Sequence, residues 1–431
     1  MANLVVHGGI PLSGEITPSG YKNSIVVIIA ASLLTDHPVM ISNVPDITDV
    51  QRLTDYLISL GSKIEWNKDA ETLRIDNSGI PETVLLGDFP STMGASNLLF
   101  PPLIQRLKDV TFPRRMKGCS LGIRELDDRL DVLQVLGAKL DATDEDLRIS
   151  IDGRFRGGDV WLDYQGVGAT ENFVMAAVLA DGVSTCINSA SEPQVEDLCK
   201  FLVTLGAQIE GIGTNKLKIT GVGELRGGEY RITDDYYEVA TFLALGAMTN
   251  GDIKVYTKNK EYFGIIKKNF KRLGVELEDK DNYYRVTPGQ SMEILQPFTT
   301  NFTPKIEAAP WPYFPGDLTP VFVALSTRSK GTTLHWNKVH EGQHLWITEL
   351  MKFGAHALLA DPHRMLVFGD KPTKPAVVVA PNIIRVAVAL YMMAASIEGQ
   401  STVRDADTIK RAHPLFVPNL QKLGAIVDWE I

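Results

Sequence analysis

Three observations predict a mixed α/β protein built from six repeated units in two domains. A phrase of the form apolar, Gly, small, polar or apolar, apolar occurs six times, each time after an amphipathic run. A second, more apolar helical segment precedes each of several copies, and short alternating segments follow them. The six glycines lie 68 to 80 residues apart, longer than solenoid periods, so each copy should be a small folded unit. They are Gly61, Gly137, Gly206, Gly274, Gly354 and Gly424.

Each phrase predicts the end of a helix followed by a strand. In the first copy, Val50–Leu60 carries apolar residues at spacings of three and four, which is typical of an amphipathic helix. Gly61 comes directly after it, and glycine readily adopts the left-handed conformation that ends a helix. The same order recurs at the other five glycines.

A second helix in each unit should be buried, because its sequence is apolar on nearly every side. Short strands such as Val39–Ile41 and Asp252–Tyr256 lie between the two helices, which indicates mixed α/β units. A single core stops growing near about 250–300 residues. The 431 residues should therefore form two domains of three units each. The segments predicted to be buried helices include Ile25–Leu34, Phe173–Ala180, Val239–Met248 and Val386–Ile397.

Composition narrows the classes of function. Hydrophobic residues make up 44% and charged residues 22%, as in globular proteins, and the net charge of −9 argues against nucleic acid as a partner. No apolar run reaches the roughly 18 residues of a membrane span, and Met1–Ile10 lacks a signal-peptide core. Three cysteines indicate reduced thiols, so we expect a cytoplasmic protein that does not engage membranes. The cysteines are Cys119, Cys186 and Cys199.

Two segments could bind an anion or supply a nucleophile. Lys22 and Asn23 precede the first buried helix, where they could hold an anion together with the helix N-terminus, or could be a surface lysine and a capping residue. Cys119 lies in a glycine-flanked loop with Lys117 and Arg124 nearby, a setting that favours a reactive thiolate. The alternative is an inert buried cysteine.

Three charged residues further along the chain are also candidates. Asp317 follows the rigid turn Pro312–Gly316 and could act as a general base or merely cap a helix. Arg385 lies inside an apolar run, so it must be paired or face a binding site. Arg411 could belong to the same site or to an ordinary basic surface patch.

His340–His344 matches the HExxH motif of helical zinc sites. Gly342 disfavours a helix interior, and Ile347 occupies the position where the metzincin pattern requires glycine. The segment also falls at a strand-to-helix junction of the repeat. We therefore expect no metal and no cofactor. Gly166–Glu171 is an incomplete dinucleotide-binding fingerprint.

Taken together, these segments resemble the enolpyruvyl transferases over nearly the whole chain. The resemblance is greatest to the members of that family that act on UDP-N-acetylglucosamine in peptidoglycan synthesis. The relatives that make 5-enolpyruvylshikimate 3-phosphate share the six-unit fold but lack the Cys119 loop. The matching segments are Ser19–Asn23, Gly118–Arg124, Gly166–Thr170, Phe314–Asp317 and Arg411 ahead of the last Leu423–Gly424–Ala425.

The resemblance implies a two-domain inverse α/β barrel with three units per domain around approximate threefold symmetry. It places residues 22–233 in an N-terminal domain that carries the Cys119 loop. Residues 1–21 and 234–431 would form the C-terminal domain, with the active site in the cleft between the domains.

The resemblance also implies roles for particular residues. Lys22, Arg124 and Arg411 would hold the phosphate of phosphoenolpyruvate, and Arg385 its carboxylate. Cys119 would be the general acid at the methylene carbon and the target of the antibiotic fosfomycin.

Further residues would serve the acceptor, a nucleotide sugar or nucleotide. Asp317 would take the proton from its hydroxyl, and Asn23 would orient it. The remaining expected substrate-binding positions are Asp127, Gly168, Gln343 and His344.

Several family positions differ in this chain, mostly on the substrate-binding side. Gly94 stands where the family has a cleft arginine, and Gln343 replaces an arginine that helps to hold the phosphoenolpyruvate carboxylate. A nucleotide-binding lysine corresponds to Tyr164 or Gln165. The uracil-side segment reads Arg124–Asp127, with Glu-Leu in place of Pro-x, and Ile383 replaces an aspartate.

UDP-N-acetylglucosamine is therefore the expected acceptor, with two alternatives. The same chemistry could act on a different nucleotide or sugar in secondary metabolism, or the chain could bind a nucleotide sugar without turnover.

Overall fold

The structure, a computed structural model, describes residues 2–83, 86–114 and 126–430. Within these ranges it contains twelve α-helices and 23 β-strands. The longest helices have 13 residues each, and none of the described helices has the length and apolar character needed to cross a bilayer. The helices are α1 (Lys22–Ser32), α2 (Thr48–Leu60), α3 (Phe100–Leu107), α4 (Asp127–Val135), α5 (Val167–Ala177), α6 (Pro193–Thr204), α7 (Tyr236–Met248), α8 (Gly264–Arg272), α9 (Thr319–Arg328), α10 (Ile347–Lys352), α11 (Ile384–Ala395) and α12 (Phe416–Lys422).

The strands are short, mostly three to six residues. They are β1 (Asn3–Gly8), β2 (Ser13–Ile16), β3 (Val39–Ser42), β4 (Lys63–Asn67), β5 (Thr72–Asp76), β6 (Asp109–Pro113), β7 (Lys139–Ala142), β8 (Asp146–Ser150), β9 (Asp159–Trp161), β10 (Val183–Ile187), β11 (Gln208–Glu210), β12 (Lys216–Thr220), β13 (Gly228–Arg231), β14 (Asp252–Tyr256), β15 (Glu278–Lys280), β16 (Tyr283–Val286), β17 (Lys305–Ala308), β18 (Gly331–Asn337), β19 (His356–Asp361), β20 (Arg364–Gly369), β21 (Val377–Val379), β22 (Gly399–Arg404) and β23 (Ile426–Glu430).

The described residues divide into two compact units. The N-terminal unit comprises residues 20–83, 86–114 and 126–233, and the C-terminal unit comprises residues 2–19 and 234–430. The chain therefore passes from one unit to the other after Ser19 and again after Thr233.

The N-terminal unit packs three buried helices, α1, α3 and α5, among three sheets with the orders β13-β3-β5-β4, β6-β8-β7 and β11-β12-β10-β9. In α1, every residue from Ser24 to Ser32 is buried, and in α5 every residue from Ala169 to Ala177. Helix α1 packs against α2 and α6, and α5 against α3, α4 and α6. Because the interior helices expose almost nothing, the predicted burial of the segments at Ile25 and Phe173 is confirmed.

The C-terminal unit repeats this plan with α7, α9 and α11 as its buried helices. Its sheets have the orders β21-β22-β1-β23, β15-β16-β14-β2 and β17-β18-β20-β19. The N-terminal strand β1 lies between β22 and β23 and pairs antiparallel with both, so Val5 faces Thr402 on one side and Asp428 on the other. All 13 residues of α7 are buried, as are the residues of α11 from Arg385 onward.

All six phrase glycines have positive φ, between 75° and 113°. Each lies between an amphipathic helix and the next strand, as predicted. At the first copy, the Gly61 N–H donates to the Ile58 carbonyl at 2.9 Å and the Ser62 N–H to the Leu57 carbonyl at 3.0 Å. This pair of bonds is a Schellman cap, which satisfies carbonyls at the helix end. The predicted helix stops are therefore confirmed.

The buried helices begin two to six residues earlier than predicted. Helix α1 starts at Lys22 rather than Ile25, α5 at Val167 rather than Phe173, and α11 at Ile384 rather than Val386. The first turns contain polar and small residues, which hide the apolar pattern. Those polar first turns carry several of the candidate site residues.

Candidate active site

Lys22 is the first residue of α1, and its ammonium Nζ lies 2.9 Å from Oδ2 of Asp49 on α2. The Asp49 side chain is only 3% exposed and that of Lys22 16%. A carboxylate so deeply buried needs a paired cation. Asp49 therefore holds the Lys22 ammonium in place at the N-terminus of α1, where an anion is also favoured by the helix dipole.

Asn23, next on α1, donates from Nδ2 to the hydroxyl of Tyr21 at 3.0 Å. Tyr21 is fully buried, and its backbone N–H donates to the Thr233 carbonyl at 2.9 Å. The polar first turn of α1 is thus fixed by a buried tyrosine, whose backbone is hydrogen-bonded to the last residue of the same unit.

Gly168 lies in the first turn of α5, and Arg129 of α4 reaches it. A Cβ atom at Gly168 would lie 2.4 Å from Nη2 of Arg129, so only glycine allows the guanidinium this close to the helix backbone. Arg129 also pairs with Oδ1 of Asp128 at 2.7 Å. Asp127 is the first residue of α4 and stands beside this pair. The arrangement places a cation at a helix N-terminus, where phosphate groups bind readily.

Glu171 lies one turn further along α5 and is buried. Burial raises the pKa of this carboxyl to about 8; Arg129 opposes the rise, and Glu192 adds to it. Near neutral pH Glu171 is therefore mostly protonated and does not cancel the charge of Arg129.

In the C-terminal unit, Arg385 is the second residue of α11 and is 7% exposed. Its guanidinium carbon lies 4.7 Å from the centre of the Tyr237 ring, and Nη2 lies 3.6 Å from Oδ2 of Asp235. Nη1 contacts Nε2 of His413. The sequence predicted that Arg385 is paired or faces a binding site, and the structure shows the pairing.

Asp235 caps α7, because its Oδ1 accepts from the backbone N–H groups of Tyr237 at 2.8 Å and Glu238 at 3.2 Å. Burial raises the pKa of the Asp235 carboxyl, while Arg385 acts in the opposite direction. Glu238 accepts from Nδ1 of His413 at 2.6 Å. Buried acidic and basic groups thus surround Arg385.

Arg411 ends the short 3-10 segment Ala406–Arg411, which packs against α11, the helix that carries Arg385. Asp317 lies in another 3-10 turn, Gly316–Leu318, directly before α9. Its side chain is 35% exposed, and its Oδ1 lies 3.6 Å from Nε2 of His340. Asp317 is therefore accessible to a substrate hydroxyl and has a histidine beside it.

Gln343 and His344 are both buried, at 1% and 0% exposure. Burial lowers the pKa of His344 to about 4, so the ring is neutral near pH 7. Residues 341–346 form turns, and α10 begins only at Ile347, so the two histidines of the HExxH segment do not share a helix face. Among the described residues, no three His, Cys, Asp or Glu side chains are grouped as metal ligands. A substrate role for Gln343 and His344 stays a prediction.

Cys119 and Arg124 lie outside the described residues. The other predicted residues fall into two groups. The N-terminal unit carries Lys22, Asn23, Asp127 and Gly168, and the C-terminal unit carries Asp317, Gln343, His344, Arg385 and Arg411.

The family model of EPSP synthase (3-phosphoshikimate 1-carboxyvinyltransferase) matches residues 6–420. The chain belongs to this family of enolpyruvyl transferases. The prediction from the sequence segments is thereby confirmed, and the chain is an enzyme of the carboxyvinyltransferase class.

Among its curated relatives, the UDP-N-acetylglucosamine 1-carboxyvinyltransferase of Bradyrhizobium diazoefficiens is 39% identical over 422 residues, which is 98% of this chain and 96% of the relative. The protein of the same name from Borrelia garinii subsp. bavariensis is 36% identical and covers 99% of this chain and 98% of its own length.

Solved structures of enolpyruvyl transferases share the fold. NikO from Streptomyces tendae superposes with a TM-score of 0.87 at 23% identity, covering 100% of this chain and 99% of that one. EPSP synthase from Acinetobacter baumannii gives 0.78 at 15% identity over the full length of both chains. The predicted fold class is confirmed.

Sequence reasoning missed four residues of this enolpyruvyl transferase that surround the expected ones: Asp49, Arg129, Glu238 and His413. Arg129 could have been found from the sequence. Tyr164 and Gln165 replace the lysine expected near the N-terminus of α5, which suggests that another cation binds the nucleotide there. The other three show no pattern in the sequence and become visible only as contacts.

Proposed function

We propose that this chain transfers the enolpyruvyl group of phosphoenolpyruvate to a hydroxyl of UDP-N-acetylglucosamine and releases phosphate. One observation carries the proposal: relatives of that name are 36% to 39% identical to the chain and align over at least 96% of both lengths. Such an enzyme would work in the cytoplasm at the start of peptidoglycan synthesis. The described cysteines, Cys186 and Cys199, are free thiols, which fits a reducing compartment.

Phosphoenolpyruvate carries a phosphate and a carboxylate and therefore needs several cations in a site with little water. Lys22, Arg124 and Arg411 would hold the phosphate, and Arg385 the carboxylate. The pairing of Lys22 with Asp49 supports this assignment, since it fixes the ammonium at a helix N-terminus.

The reaction would proceed by addition and elimination. The acceptor hydroxyl oxygen bonds to C2 of phosphoenolpyruvate, Asp317 takes the hydroxyl proton, and Cys119 protonates C3. In the elimination step the C3 methyl group would return a proton to the Cys119 thiolate, the C2–C3 double bond would form again, and the bond from C2 to the phosphate oxygen would break. Phosphate leaves, and an enol ether remains on the acceptor.

The N-terminus of α5 would bind the diphosphate of the acceptor. Gly168 brings the Arg129 guanidinium onto the backbone there, which can replace the missing lysine at position 164 or 165. A different nucleotide or sugar acceptor, as in secondary metabolism, is the second candidate. It is favoured by Gly94 and by the altered segment Arg124–Asp127.

Phosphate release from phosphoenolpyruvate tests the proposal. Purified protein should release phosphate with UDP-N-acetylglucosamine and much more slowly with UDP-glucose, UMP or free N-acetylglucosamine. Release only with another nucleotide would select the second candidate. No release with any acceptor would overturn enzymatic transfer and favour a protein that binds without turnover.

A lysine variant tests the site. Lys22→Met should lower kcat/KM by about 100-fold or more, since it removes a charge-assisted contact to the phosphate. Lys68→Met is the matched control, because Lys68 pairs with Asp46 at 2.8 Å in the same unit but with both side chains about half exposed. The control should stay within about twofold of wild type. Melting curves of both variants verify folding. Equal kcat/KM values for Lys22→Met and Lys68→Met would refute the assigned role of Lys22.

A further inference from the structure

Asp235, Glu238, Arg385 and His413 form a buried cluster, called here the Arg385 cluster. Their exposed fractions are 0%, 1%, 7% and 1%. They come from the start of α7, from the first turn of α11 and from the segment after Arg411, and all lie in the C-terminal unit. Charged groups this deep require defined partners, so the direction of each hydrogen bond carries information.

The contact between Arg385 and His413 fixes the state of the imidazole. An arginine guanidinium can only donate hydrogen bonds, so Nε2 of His413, which contacts Nη1, must accept. The ring is then neutral, with its hydrogen on Nδ1. That N–H donates to Oε1 of Glu238 at 2.6 Å, which uses the remaining polar atom of the ring. A doubly protonated ring would direct an N–H at the guanidinium.

Glu238 is itself held by the backbone. Its Oε2 accepts from the Ser19 N–H at 2.7 Å, and the Ser19 carbonyl accepts from the Asp235 N–H at 2.8 Å. Ser19 and Asp235 lie within two residues of the two points where the chain passes between units. The carboxylate is therefore fixed by α7 and by the N-terminal segment together.

We propose that Glu238 and His413 are positioning residues that orient Arg385 for the carboxylate of phosphoenolpyruvate. Asp235 already lies 3.6 Å from the guanidinium, and a second direct carboxylate partner would further reduce the positive charge that the substrate needs. The neutral ring of His413 transmits the fixed position of Glu238 but leaves the guanidinium charge in place, while the Tyr237 ring at 4.7 Å supports its face. The inference rests on the proposed function, in which Arg385 binds that carboxylate.

Two substitutions of His413 distinguish a loss of Arg385 orientation from a general loss of folding. Gln carries both a donor and an acceptor and can bridge Glu238 and Arg385, whereas Leu can do neither. His413→Leu should raise KM for phosphoenolpyruvate by about tenfold or more, while KM for the acceptor and kcat change by less than about threefold. His413→Gln should remain within about threefold of wild type in all three. Equal KM values for phosphoenolpyruvate in both variants would overturn the proposal.

A second measurement needs no turnover. Nitrogen-15 NMR of histidine-labelled protein reports the tautomer of each ring, and the signal lost in His413→Gln identifies His413. We expect the Nδ1–H tautomer near neutral pH. An Nε2–H or doubly protonated ring would overturn the inference. A wild-type protein that shows the expected tautomer but releases no phosphate would overturn the proposed function and leave the anchoring of Arg385 supported.

Discussion

At the scale of single residues, Glu171 combines a site position with an unusual protonation state. Its pKa, raised by burial to about 8, lies well above the ordinary value of 4.5. The stability associated with this group is thus fully present below pH 4.5 and is lost as pH rises through about 8, because the unfolded chain ionises first. Glu171→Gln removes that loss. The stability of Glu171→Gln relative to wild type should increase by roughly 4 kcal/mol between about pH 5 and pH 8.5.

Urea unfolding of both proteins at several pH values measures this change. Glu210→Gln is the control, since Glu210 lies on the surface of the same unit with its side chain 69% exposed. Its stability relative to wild type should vary little with pH. If the difference between Glu171→Gln and wild type is constant over that range, Glu171 is ionised in the folded protein and cannot leave the charge of Arg129 intact.

At the scale of elements, substitution of the helix-ending glycines by alanine should lower the free energy of unfolding by different amounts. Gly424 has φ of 93°, and a Cβ there would meet nothing within 4 Å. Gly274 has φ of 75°, and a Cβ there would lie 2.3 Å from the backbone nitrogen of Glu293. Gly424→Ala should lower the free energy of unfolding by about 1 kcal/mol, from left-handed strain alone. Gly274→Ala should cost about 3 kcal/mol or more, because the backbone at Glu293 must also move.

Both glycines belong to the C-terminal unit, so both effects should be read in the same urea transition, recorded with matched wild-type curves. Similar losses for the two variants would mean that conformational strain, rather than contact with Glu293, sets the cost.

The sequence predicts the elements better than the site, for a physical reason. Helix stops and buried helices are local patterns of a few residues, so all six glycine caps could be located. The polar first turns break the apolar pattern, and the starts of α1, α5 and α11 were therefore placed too late. Arg385 stood out because a charge inside an apolar run needs a partner. Its partners Asp235 and His413 could not be found, because both are far from Arg385 in the sequence and approach it only in the folded chain.

At the scale of the whole molecule, the net charge is −9, yet the proposed substrates are anions. Three described cations of the proposed site, Lys22, Arg129 and Arg385, each lie beside an acidic group that fixes them. Asp49 is paired with Lys22, Asp128 with Arg129, and Asp235 with Arg385. The acidic protein thus presents local positive charge at helix N-termini, where backbone N–H groups add to the attraction of phosphate. High salt should weaken the encounter with substrate more than it weakens the buried pairs.

The three cysteines of the chain allow the last prediction, which concerns thiol reactivity in the intact protein. Burial raises the pKa of Cys186 and of Cys199 to about 12 each, so neither forms the thiolate that reacts with alkylating agents near neutral pH. Cys119 is the proposed catalytic acid and lies outside the described residues. Native protein should therefore take up one equivalent of fosfomycin or iodoacetamide, at Cys119, and unfolded protein three equivalents of iodoacetamide.

Peptide mass spectrometry assigns the modified cysteines, and native Cys119→Ser protein should take up neither reagent. A native adduct on Cys186 or Cys199, or an unmodified Cys119 under saturating fosfomycin, would contradict the role assigned to the Cys119 loop.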